Sequence, residues 1–100
     1  MTRFYEIHAV PAHPEPSPPA QWWIDAAHLL RDHARRYFLP SLSPNECGCS
    51  VAEVEATLFG LNQVSASTYR METPRVADLL HDLRSDAERL LRIAKSLGYG

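Results

Sequence analysis

The sequence predicts an all-α fold, a small bundle of three or four helices, and three observations carry that reading. Residues 74–97 hold apolar side chains at three- and four-residue spacing along their whole length. A second, more aromatic stripe of the same spacing runs from Trp23 to Phe38. Only residues 3–10 alternate with the two-residue period of a strand, and a lone strand leaves its backbone groups unpaired.

With 100 residues, 45% hydrophobic and 22% charged, the chain has the size and composition of one globular domain. It divides into an N-terminal arm and linker, residues 1–19, and a helical domain, residues 20–100. Ten basic against twelve acidic residues leave a net charge of −2, so the balance shows no nucleic-acid footprint. No run of about 18 apolar residues is present, so no membrane span is expected. The opening residues lack an export signal, and a cytoplasmic protein is the expectation. Nine of the ten basic residues are Arg and Ala and Leu abound, which points to a GC-rich bacterial or phage gene.

In the arm, Tyr5, Ile7 and Ala9 alternate with Phe4, Glu6, His8 and Val10, as in a strand buried on one face. Prolines between 11 and 19 then impose a polyproline-like spacer, because fixed φ and missing N–H groups suit neither helix nor ladder. The first helix is expected from about Ala20 to Phe38, stopped by Pro40, with Trp23, Ala26, Ala27, Leu30, Ala34, Tyr37 and Phe38 facing the core. Residues 39–49 form a loop. Ser50 stands three before Glu53 as a capping box, opening a helix with Val51, Val54, Leu58 and Leu61 inward and Gly60 and Asn62 at its stop. Residues 63–71 read as a short helix. Thr73 caps and Pro74 starts the longest helix, whose stripe runs Val76, Leu79, Leu80, Leu83, Ala87, Leu90, Leu91, Ala94, Leu97 up to Gly98. At 1.5 Å per residue this helix is roughly 36 Å long, more than so small a globule covers, so part of its stripe is expected to await a partner.

Few residues suggest chemistry. Cys47 and Cys49, with His33 as a further ligand, are the metal candidates, but C-x-C spacing is poor for zinc and no second pair stands at ligand spacing. Two reduced thiols, no metal and no cofactor are expected. The four glycines form no phosphate-binding loop, the acids of residues 74–97 alternate with Arg as on a solvated face, and no catalytic constellation emerges. His33 falls at the border of the core.

The stretch AEVEATLFGLNQVSASTY, residues 52–69, resembles a helix-turn-helix of the repressor type. Ala56, Gly60 and Asn62 stand where that family places its packing Ala, its turn Gly and the cap of its recognition helix; Phe59, Leu61, Ala66 and Tyr69 match its buried positions. The resemblance implies a DNA-binding regulator with Gln63, Ser65, Ser67, Thr68 and Arg70 facing the major groove. The residues themselves favour a non-catalytic protein-interaction module, a small phage or bacterial inhibitor or adaptor that also forms a homodimer. Its partner-binding residues are expected to be Phe4, Tyr5 and Ile7 of the arm and Leu91 and Leu97 near the end of the long stripe.

Overall fold

The computed structural model describes residues 17–43, 49–70 and 72–100. Four helices follow in order: α1, Gln21–Tyr37; α2, Val51–Asn62; α3, Ser67–Arg70; and α4, Pro74–Leu97. Among the described residues there is no strand, and the all-α bundle expected from the apolar spacing is what forms. The strand expected at residues 3–10 lies outside the described residues.

The core is built around α4, on which α1, α2 and α3 all pack, and α2 also packs on α1. From α1 come Trp23, Ala27, Leu30 and Ala34; from α4, Leu80, Leu83, Ala87, Leu90 and Ala94; from α2, Val54 and Leu61. Alanines seven apart, Ala27 with Ala34 and Ala87 with Ala94, are wholly or almost wholly buried, and such small side chains let helix axes approach closely. Trp23 fills the space this leaves at one end. Its indole N–H donates to the Leu90 carbonyl at 2.9 Å and its ring meets Tyr99 edge-on at 5.9 Å. The polar end of a fully buried Trp is thereby satisfied.

Tyr37 is not in the core as its spacing suggested; it is 44% exposed. The helix stops at Tyr37, and Phe38, with φ −129°, leaves helical geometry and turns inward to pack edge-on against Tyr69 at 5.5 Å. One aromatic takes the inner place and its neighbour is pushed out.

Helix ends follow sequence chemistry with two departures. Ser50 caps α2 as expected, its hydroxyl accepting from the Glu53 N–H at 3.2 Å. Thr73 precedes Pro74 as expected, but its hydroxyl donates backward to the Tyr69 carbonyl rather than capping α4. Gly98 closes α4 with φ +71°, the left-handed turn that favours glycine. Gly60, by contrast, makes no turn. It sits inside α2, where a Cβ would lie 2.9 Å from the tip of Leu39, so close approach of the loop is what its missing side chain permits.

Two arginines, one buried and one half-buried, tie the loops to this frame. Arg31, 6% exposed on α1, donates to the Glu53 carbonyl at 2.9 Å, the Thr57 hydroxyl at 2.7 Å and the Ser43 carbonyl at 3.3 Å, with the Glu53 carboxylate 3.7 Å away. Arg84 of α4 donates to the carbonyls of Leu61, in the last turn of α2, and Val64, just beyond it. Both guanidinium groups act as forks that hold backbone oxygens at the ends of α2.

At the far end, the Ser17 N–H donates to the Gly98 carbonyl at 2.9 Å and the Gly100 N–H to the Ser17 carbonyl at 3.1 Å, a parallel bridge between Ser17 and Tyr99. With Trp23 bonded to Leu90, this places the start of α1 beside the end of α4. The two long helices are antiparallel.

Candidate functional site

Because α2 and α3 pack on α4, α1 and α4 have a second side where they meet over an open groove of about 410 Å³. Leu30, Leu83 and Leu90, all core residues, form its floor. On the α1 bank stand Ala26, Leu29 and His33; on the α4 bank, Leu79, Asp82, Asp86 and Arg89. Leu29 is 60% exposed and Trp22, one helical turn before Ala26, is 55% exposed. The spacing of Trp22, Ala26, Leu29 and His33 is four, three and four, which lines them along one edge of α1 beside the buried stripe.

Polar contacts shape the banks. His33 Nδ1 lies 2.9 Å from the Leu29 carbonyl, and its ring stacks on Tyr37 with centroids 6.4 Å apart. On the other bank Arg89 donates to Asp86 at 2.9 Å, an exposed pair of small energetic weight. Asp25, at the outer edge of α1, accepts from the Gln21 amide at 2.9 Å. The groove is thus apolar at its floor, with Asp82 and the paired Asp86 and Arg89 on its α4 bank.

The residues singled out from sequence distribute unevenly. Phe4, Tyr5 and Ile7 lie outside the described residues, as does Cys47. Leu97 is 53% exposed at the end of the α4 stripe, whereas Leu91 is half-buried and packed on the core. His33 borders the core as expected and lines the groove. Trp22 and Leu29 are not among the residues the sequence singles out, although with Ala26 and His33 they form a four-three-four edge beside the core stripe.

Cys49 is buried among the core residues, and burial first, then the Glu53 carboxylate, pushes its thiol up from 9.0 to about 11. A thiol so held resists forming the thiolate that metal binding and nucleophilic attack require. Among the described residues no three His, Cys, Asp or Glu side chains cluster as a metal site would need.

Residues 52–69 depart in three ways from the motif they resemble. Ala56 is exposed instead of packing helix on helix, Phe59 is 69% exposed instead of buried, and Gly60 is helical instead of turning the chain. The place of a recognition helix is taken by α3, a single turn of four residues. Gln63, Ser65, Ser67, Thr68 and Arg70 are all exposed, with the hydroxyls of Ser65 and Ser67 hydrogen-bonded to each other at 2.7 Å. Among the described residues no helix is long and apolar enough to cross a membrane. Neither a family model, nor a curated protein, nor a solved structure matches this chain.

Proposed function

We propose that the protein is a non-catalytic interaction module, an adaptor or inhibitor working in the cytoplasm, whose docking face is the groove between α1 and α4. One observation carries this reading: Leu29, 60% exposed, stands beside a groove floored by Leu30, Leu83 and Leu90, with Trp22 exposed along the same edge. Burying an exposed leucine contributes roughly 1.5–3 kcal/mol, so one helix laid in the groove gains substantially from this edge alone. The partner is another protein chain that presents an apolar helix, a second copy of this chain included.

A photo-reactive side chain placed at position 29 tests the reading against one placed at position 55, an exposed site on α2. Adducts with a protein at position 29 and none at position 55 are expected. Equal labelling at both positions, or none at position 29, overturns it.

A further inference from the structure

We infer that the groove is covered by a second copy of this chain, in a two-fold dimer whose axis runs along the helices and which closes α1 and α4 into a four-helix bundle. The inference rests on the reading of the groove as a docking face, and what selects the occupant is the placement of charge.

The contacts between α1 and α4 set their relative level. Ser17 is bridged to Tyr99 and Trp23 is bonded to Leu90. Counting along two antiparallel helices from those contacts, at equal rise per residue, brings Asp25 level with Arg89, His33 level with Asp82, and Trp22 level with Ile93. The outer edge of α1 therefore carries Asp25 at one end and His33 and Arg36, flanked by Asp32, at the other. The outer edge of α4 carries Arg89 at the first level and Asp82 at the second, with Asp86 between them, level with Leu29 and held to Arg89.

A two-fold axis parallel to the helices keeps every level and lays each α1 against the other copy's α4. Asp25 then meets the partner's Arg89, His33 and Arg36 approach the partner's Asp82, and Trp22 lies over the partner's Ile93. Each contact occurs twice, as closed symmetry requires. Asp82 has no ion-pair partner among the described residues, and Arg89 is held only by an exposed pair with Asp86. Both are available to the arrangement. The four-three-four spacing of Trp22, Ala26, Leu29 and His33 is that of a bundle seam, and a bundle completed in this way also covers Leu29.

Charge exchange across the seam tests the pairing. In sedimentation equilibrium over a dilution series the full chain is expected to double its mass. Asp25→Arg alone and Arg89→Asp alone should each weaken self-association by about tenfold or more, and the double variant should restore it, because each level again pairs opposite charges. Leu29→Asp, at an exposed position that leaves the fold intact by circular dichroism, should abolish the dimer. A double variant that stays monomeric, or single variants that dimerise like the parent chain, overturns the inference. A parent chain that is monomeric throughout overturns it as well, and an apolar fluorescent dye then tells the two proposals apart. Dye bound to the parent and lost in Leu29→Asp means that the groove is open to a different protein; no dye bound means that the docking face has failed too.

Discussion

Arg31 is the residue whose chemistry most exceeds what its place in the chain announces. It sits between Leu30 and Asp32 on α1, where spacing gives a flank position, yet it is 6% exposed and serves three oxygens on two other segments. Arg31→Ala is expected to destabilise the fold by about 2–4 kcal/mol in urea melts, since buried acceptors lose a charged donor, and Arg31→Lys should recover little because an ammonium cannot fork to the same acceptors. Cys49 supplies a second prediction at this scale. Its thiol is protonated in both folded and unfolded chains below pH 9; between about 9 and about 11 the unfolded chain ionises while the folded one does not. Stability should therefore fall as pH rises through that window. Melts of the parent chain and of Cys49→Ala across it should show a steeper decline in the parent, and parallel curves would argue against a buried thiol. Neither effect was legible from sequence: an arginine reads as solvated unless its acceptors are known, and those of Arg31 are brought to it by the loop at Ser43 and by α2.

Elements were far more legible than single contacts, because a periodic stripe repeats the same instruction many times. The stripe, Pro74 at its first turn and Gly98 at its end together mark α4, and Pro74–Leu97 forms as expected. The aromatic stripe likewise marks α1. Legibility ends where one residue carries two meanings, as Gly60 does: a glycine near a helix end suggests a turn, but here it admits Leu39 and the helix runs on to Asn62. The same ambiguity produced the likeness of residues 52–69 to a helix-turn-helix. Along α4, burial separates two kinds of leucine. Leu83→Ala and Leu90→Ala, at positions 4% and 7% exposed, should each cost roughly 2–5 kcal/mol in thermal or urea unfolding. Leu97→Ala, at a position 53% exposed, should leave the stability of the isolated chain within about 1 kcal/mol. A large loss at Leu97 would place it in the core after all.

At the scale of the whole molecule, the excess of apolar helix surface over core was visible in the sequence, but its location was not. Length and spacing predict spare apolar face at the end of α4, at Leu91 and Leu97; of these Leu97 is exposed and Leu91 packs on the core. The structure puts the larger share on α1, at Trp22 and Leu29, because α2 meets α1 on its Arg31 side, α3 packs on α4, and one edge of α1 is left uncovered. Which side of a helix its neighbours choose depends on connections such as the Leu39 contact and the two arginine forks, and these are three-dimensional facts.

The bridge between Ser17 and Tyr99 also sets how this body responds to force. Pulled apart by Ser17 and Gly100, it takes the load first on two backbone hydrogen bonds that lie at one end of the helix pair, and they open before the rest is strained. The indole bond from Trp23 to Leu90 is the next clasp along the same edge. Tension applied there peels α1 from α4 progressively from one end, contact by contact, and reaches α2 only at the Arg31 bonds to Glu53 and Thr57; tension applied along the helix axes from opposite ends would have to shear every layer of the core at once.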